Sequence, residues 1–372
     1  MPGISNTQHI RQLNKQQVLT ALKTHPSLTQ AQIIAHTSLS RVTVASILEE
    51  LVHAELVQGS TALRKERGAP STHYQLQYQR MWFAGLNITT ENTQITYVNG
   101  DGEPLRHEQI ANDGWMEDPQ TLVRFIAETS PTKLLGVGIS VPGMVANDYQ
   151  LILLSNVMPK LTKSRILEYL KSQLSLPVFY VNNAMAEAYT EMNSFSSGGL
   201  IYLVVGTSIG ISIMTSHGPL HLSSNAEDIA HMPIDPNGPF CETCRQHGCL
   251  ESLVGISHLT QLLGIATPDL RQVSERLLHD PYRSYQQITM ALNALAITCE
   301  TLTSILGRVP IVFGGRIGHL LREGVEKVLE TRSPWITPII RAQQFAIEEE
   351  RRASTGAAMF AAEQWFLSYP FE

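Results

Sequence analysis

Cysteine is scarce in this 372-residue chain, with four in all. Three of them, Cys241, Cys244 and Cys249, fall within nine consecutive residues. That spacing excludes the spread-out disulfide framework of small secreted domains and asks for a local chemical cause. Charged residues are also few, at 16% against 43% hydrophobic, a balance that excludes disorder and is enough for ordinary buried cores. No uninterrupted apolar run reaches the roughly 18 residues that a membrane span needs, so no membrane insertion is expected. The opening residues, MPGISNTQHIRQLNKQQ, lack the apolar segment of a signal peptide. The cytoplasm is therefore the expected compartment, and clustered thiols there favour a metal over a disulfide. The length predicts two or three domains.

The stretch DIAHMPIDPNGPFCETCRQHGCLE, from Asp228 to Glu251, holds the cysteine cluster. His231 stands just upstream, and the carboxylates of Asp228 and Glu251 flank the group. Three thiolates and one imidazole supply the four ligands of a tetrahedral structural zinc, so His231, Cys241, Cys244 and Cys249 are the candidate metal ligands. A Cys241–Cys244 redox pair without metal is the alternative. His247 competes as a fourth ligand. Cys299, in an apolar helical context, reads as a buried structural thiol.

Charge is unevenly placed. Up to residue 80 the chain has eight Lys and Arg against four Glu, a balance of +4, while the whole chain is at −6, which leaves −10 for the remainder. A basic head on an acidic body is the footprint of a nucleic-acid-binding module joined to something else. Within the head, Ile10 to His25 is helical in composition, with Val18, Leu19 and Leu22 on one side and Pro26 to stop it. Thr29 and Gln32 have the spacing of a capping box. After a turn at Thr37 to Leu39, Ser38 or Ser40 can cap a third helix in which Val44, Ile47, Leu48 and Leu51 keep a 3-4-3 rhythm.

Two short helices joined by a tight turn form a helix-turn-helix pattern, and its second helix, the third of the head, would be the recognition helix. Ser40, Arg41, Thr43 and Ser46 would then face base edges and phosphates. Strands around Leu56–Val57 and from Tyr74 to Tyr78 flank GSTALRKERGAPS, a basic hairpin tip resembling the wing of a winged helix. From it Arg64, Lys65 and Arg67 would reach phosphates or the minor groove. A structural or oligomerising three-helix cap would share the apolar rhythm; the basic tip and the charge asymmetry favour double-stranded DNA.

From Met81 onward strands and helices alternate, which predicts an α/β fold. WFAGLNITTENTQITYVNGDGEPL reads as two hairpin strands, and a helix is expected over Pro119 to Thr129. LLGVGISVPGMV is a buried strand ending in a glycine turn at Ser140 and Gly143. VFYVNNAMAEAYTEM passes from strand to helix at Asn182 and Asn183. In such folds ligand groups gather where strand ends become loops. RVPIVFGGRIGHLL is another strand and turn, whose Gly314-Gly315 pair could cradle an adenine nucleotide. STGAAMFAAEQWF is a small-residue packing helix.

In order, the winged helix, the VPG turn, NNAMAEA, GTSIG, DIAHM, CETCRQHGCLE and FGGRIG resemble the ROK family, over essentially the whole chain. That family groups bacterial sugar-responsive repressors with sugar kinases on a two-lobed actin-like ATPase fold. The added winged helix resembles its repressor branch, which includes the xylose and N-acetylglucosamine repressors. The resemblance implies a winged helix-turn-helix domain at residues 1–80. A smaller lobe would follow at 81–190, completed by a C-terminal helix at 353–372, and a larger lobe with the zinc knuckle at 191–352. It implies zinc on His231, Cys241, Cys244 and Cys249, although the family usually has one residue between the first two cysteines and glycine after the second. Here Glu242 and Thr243 intervene and Arg245 follows. It further implies sugar contacts from Asn182, Asn183, Asp228, His231 and Glu251, carboxylates and amides that can bridge neighbouring hydroxyls.

The family's catalytic Asp falls at Asn183, an amide that cannot act as a general base. The first phosphate loop, normally Asp-Ile-Gly-Gly-Thr, reads Asn87-Ile88-Thr89-Thr90-Glu91, with side chains in place of glycines. The second glycine turn is thinned to GTSIG. The expectation is a DNA-binding repressor of carbohydrate-metabolism genes with a sugar or sugar-phosphate effector, working as a homodimer or homotetramer without kinase activity. A sugar kinase with a regulatory head, or a regulator sensing a protein partner, are the alternatives.

Overall fold

The computed structural model describes residues 6–61, 71–131, 133–146, 148–155, 158–163, 166–192, 195, 199–206, 209–215, 218–220, 228–343 and 351–368. It divides into two compact units, one of Met1–Ile139, Ser164–Phe179 and Ala357–Glu372, the other of Ser140–Lys163 and Tyr180–Gly356.

The chain opens with α1 (Asn6–Thr24), the two-residue strand β1 (Leu28–Thr29), α2 (Gln30–Thr37), α3 (Arg41–His53), β2 (Val57–Thr61) and β3 (Thr72–Leu76). The expected capping box is present: Thr29 accepts from the Gln32 amide, and the Gln32 side chain accepts from Thr29 N–H at 2.8 Å. Ser38 ends α2 in the left-handed conformation, and Ser40, rather than Ser38, caps α3. Val18, Leu19 and Leu22 of α1 and Val44, Ile47, Leu48 and Leu51 of α3 are buried, as the apolar rhythm requires. The three strands pair in the order β1-β3-β2. Arg64, Lys65 and Arg67 lie outside the described residues.

Next come β4 (Trp82–Ile88), β5 (Asn92–Asn99), β6 (Pro104–Ala111), α4 (Asn112–Glu117), α5 (Pro119–Thr129) and β7 (Gly136–Val141). They are followed by β8 (Met144–Val145), β9 (Ile152–Leu154), α6 (Pro159–Lys163), α7 (Ile166–Leu174), β10 (Val178–Asn182) and α8 (Asn183–Glu191). A five-stranded sheet runs β10-β7-β4-β5-β6. Helix α5 has the bounds expected, because Asp118 caps it and Pro119 suits its first turn.

The rest is β11 (Gly199–Val205), β12 (Ile209–Thr215), β13 (Gly218–Pro219), α9 (Leu250–Val254), α10 (Ile256–Leu262), α11 (Leu270–His279), α12 (Pro281–Gln287) and α13 (Thr289–Leu306). Strand β14 (Ile311–Gly314), α14 (Gly318–Arg332), β15 (Ile340–Ala342) and α15 (Arg352–Ser368) complete it. A second five-stranded sheet runs β13-β12-β11-β14-β15. Helix α13 is long and apolar enough to cross a membrane by length and composition alone, although the sequence shows no uninterrupted apolar run of that length. Its Ala291, Leu292, Leu295, Cys299 and Leu302 belong to the core of the second unit, which accounts for the hydropathy.

Helix α15 packs tightly at both ends. In the second unit Arg352 forms a buried ion pair with Glu191 at 2.7 Å, and a Cβ at Gly356 would collide with the Ala186 carbonyl of α8. In the first unit Glu363 pairs with Lys23 of α1, whose ammonium sits 4.8 Å from the Phe366 ring centroid.

Candidate functional site

His231 ends a short 3₁₀ turn, Asp228–His231, and Cys249 is the N-cap residue of α9. The chain between them folds into a knuckle. The Gly248 carbonyl accepts the amides of Ile234 and Asp235, Gly248 donates to Pro239, and Cys241 donates to Gln246. Gly248 has a φ of +63°, and a Cβ there would collide with the Asp235 carbonyl oxygen, so glycine is required. Arg245, where the resemblance leads one to expect glycine, also takes a left-handed φ of 60°. The arginine is thus held in a backbone conformation that glycine adopts more easily.

The knuckle gathers the four candidate ligands. One donor atom each from His231, Cys241, Cys244 and Cys249 lies within 4.8 Å of the other three. The Sγ atoms of Cys241 and Cys249 are each 3.8 Å from Nδ1 of His231. Zinc–sulfur bonds of about 2.3 Å and a zinc–nitrogen bond of about 2.0 Å in a tetrahedron imply sulfur–nitrogen edges of roughly 3.5 Å, so the spacing fits such an ion with little adjustment. All four cysteines are free thiols. Burial pushes the Cys249 thiol up to about 11. Burial acts the same way on Cys241, but hydrogen bonds from the backbone of Cys244 and Thr243 and from the neighbouring thiols bring it below the usual thiol value. His247 stands outside the quartet; its Nδ1 lies 3.0 Å from the Gly238 carbonyl. Cys299 is fully buried and its thiol is raised by that burial, as expected of a structural residue.

Strand β12 draws the other candidate residues together. The Asp228–His231 turn, α8 and α9 all pack against it. Glu251, on α9, accepts the Ile209 amide at 3.2 Å, and burial raises its carboxyl above the usual range. At the next residue, Gly210, a Cβ would come 3.2 Å from Ala184 at the start of α8. Asn182 caps that helix, accepting the Ala184 amide at 2.8 Å, and donates to the Gly143 carbonyl at 2.7 Å. Its amide is thus committed to holding the glycine turn against α8, a role the residue type alone did not reveal. Asn183 is half-buried and has no side-chain hydrogen bond among the described residues. The Ser140 hydroxyl is buried without a hydrogen-bond partner among the described residues. Of Asp228 only the backbone is described.

In the head, Ser40 accepts the Thr43 amide at 3.1 Å and pairs with its hydroxyl at 2.8 Å. Ser46 accepts from Arg11 at 3.2 Å, and Arg11 and Lys15 pair with Glu50, so this flank of α3 is engaged with α1. Arg41 is exposed, as are Val42 and Ala45. Sequence reasoning passed over Val42 because it looked for polar side chains.

The turn expected to be a degraded phosphate loop is closed on itself. Thr89 Oγ1 accepts the amides of Glu91 at 3.3 Å and Asn92 at 3.2 Å, while the Thr89 amide donates to Asn92 at 3.0 Å. Asn112 holds the Thr89 carbonyl at 2.7 Å. Of the second glycine turn, Thr207 and Ser208 lie outside the described residues.

Comparison with known proteins places the chain among a family, named relatives and solved structures. A family model described as "ROK family" matches residues 83–364. The putative xylose repressor of Caldicellulosiruptor sp. (strain Rt8B.4) is 23% identical over 357 residues, covering 87% of this chain and 89% of that one. The xylose repressor of Bacillus subtilis (strain 168) is 26% identical over 267 residues, 67% of each chain. Among solved structures, a ROK family transcriptional regulator described as a homologue of the E. coli MLC protein superposes with a TM-score of 0.72 at 18% identity, covering 96% of this chain and 97% of its own. A ROK hexokinase from Thermus thermophilus superposes with a TM-score of 0.60 at 19% identity, covering 76% of this chain and 99% of its own.

Proposed function

This chain belongs to the ROK family, and we propose that it is a sugar-responsive DNA-binding transcriptional repressor without kinase activity. The observation that carries this reading is coverage. A hexokinase structure spans 76% of this chain and nearly all of itself, whereas a transcriptional-regulator structure spans 96%. The part without a kinase counterpart is about as long as the basic N-terminal segment. Residues 1–80 are then a winged helix-turn-helix domain, with Arg41 at the front of the recognition helix and Arg64, Lys65 and Arg67 on the wing. Pairing of two copies matches a two-fold operator.

His231, Cys241, Cys244 and Cys249 hold a structural zinc ion, which supplies cross-linking of the knuckle and keeps the thiols ionised. With Nδ1 of His231 turned to the thiols, Nε2 is the ring atom left for a sugar hydroxyl. Asn183, Asp228 and Glu251 supply further acceptors and donors, while Ser140, Gly143 and Asn182 build the floor under them. A polyol suits this set because each carboxylate or amide can bridge adjacent hydroxyls. Against phosphoryl transfer stand Asn183, which offers no base, and the β4–β5 turn, whose Thr89, Glu91 and Asn92 amides are already bonded within the turn.

The test uses DNA duplexes selected by the protein from a random pool, read by fluorescence anisotropy with a panel of neutral aldoses, D-xylose among them. One aldose should release the DNA from the wild type. Glu251→Gln should keep DNA binding, because Gln retains an acceptor for the Ile209 amide, but should raise the aldose concentration needed about tenfold or more, the scale of a lost hydrogen bond to a charged group. ATP turnover with any of these aldoses, or an unchanged response in Glu251→Gln, would contradict the assignment.

A further inference from the structure

Helix α3 has a solvent face that begins unusually. Val42 is 80% exposed, the most exposed large hydrophobic side chain among the described residues. Ala45, three positions on, is exposed as well, and Arg41 stands beside them. The polar residues of the same turns are already committed: Ser40 and Thr43 to capping, Ser46 to Arg11. Nothing in the packing of the head asks for valine at this position. As a β-branched residue it is a weaker helix former than the common surface residues. An aliphatic group held out at the front of a helix, next to a cation and in a segment carrying a +4 balance up to residue 80, matches the chemistry of a duplex major groove. There the thymine 5-methyl is the apolar mark among hydrogen-bonding edges, and the groove is wide enough for a helix whose first turns approach the bases.

We propose that Val42, backed by Ala45, reads the thymine methyl group in the operator and is a specificity-determining residue of this protein. The proposal rests on the DNA-binding reading above and names the base chemistry that reading leaves open. Ser40, Thr43 and Ser46 then serve the recognition helix by fixing its start and its seat on α1, and the discriminating contact is apolar.

The experiment exchanges each thymine of a selected duplex for deoxyuridine, one base at a time, which removes a single methyl group and leaves every hydrogen bond in place. At one thymine per half-site the exchange should weaken wild-type binding about fourfold, the scale of one buried methyl-sized group. In Val42→Ala, which keeps only a shorter methyl beside Ala45, the same exchange should cost clearly less than in the wild type. Val42→Asn, which puts an amide where the aliphatic group stands, should lose most of the methyl discrimination. Both variants should keep the wild-type melting temperature, because the side chain is exposed. Tolerance of deoxyuridine at every position, or an undiminished penalty in Val42→Ala, would overturn the proposal while leaving DNA binding intact. Failure to select any duplex would overturn the DNA-binding reading itself.

Discussion

In the turn between β4 and β5, Thr89 takes up the amide protons of Glu91 and Asn92 and leaves neither for a guest. In the knuckle the backbone bonds also close among themselves, yet four side-chain donor atoms are left facing one another. The two loops differ in who provides the ligand atoms. A phosphate loop binds through its own backbone, so one hydroxyl folding back can fill it. A thiol–imidazole quartet binds through side chains on a rigid frame, and here that frame brings the four together with two residues between Cys241 and Cys244.

The largest effect should come from breaking the knuckle. Cys249→Ser, or stripping metal with a chelator, should remove one zinc per chain by elemental analysis and lower unfolding stability by several kcal/mol, against a contribution on the order of 10 kcal/mol for a structural zinc. An unchanged melting curve would mean the quartet is only a packing cluster. Next is Asn182→Ala, which removes both the cap of α8 and the bond to Gly143. A loss of about 2–3 kcal/mol in urea unfolding is expected from a cap plus a side-chain hydrogen bond.

Smaller still, Thr89→Ala should destabilise by about 1 kcal/mol, since it unties the turn. It should not produce ATP turnover, because Asn183 still lacks a base. Appearance of turnover would show that the closed turn alone suppresses catalysis. The smallest change is a gain. Arg245→Gly relieves a left-handed backbone and should stabilise by about 1 kcal/mol or less. A loss there would mean that the arginine side chain, not its backbone, matters to the knuckle.

The same contrast explains what was legible in the sequence. The quartet was legible because thiols and imidazole in close spacing have few other uses. So was α5, from its Asp118 cap and Pro119, and so was the Thr29–Gln32 capping box. Strand β6 was not read: Pro104–Ala111 is an edge strand whose residues are half-buried or exposed, so its apolar alternation is faint. The capping of α8 by Asn182 and its bond to Gly143 were not read, because an amide at a strand end can serve a sugar, a helix cap or both. The bond between Ser46 and Arg11 was not legible because the two are 35 residues apart in the chain. Long-range polar pairing leaves no local periodicity to read.

Coupling of a sugar-type ligand to release of DNA within one chain can be read in a single titration. Zinc-loaded wild-type protein bound to a selected, fluorescently labelled duplex is titrated with each aldose of the panel, with Glu251→Gln in parallel. One aldose should lower the anisotropy to that of free DNA, at concentrations shifted upward in Glu251→Gln. Duplex that stays bound through the entire panel, with ATP consumed in the presence of an aldose, would contradict it.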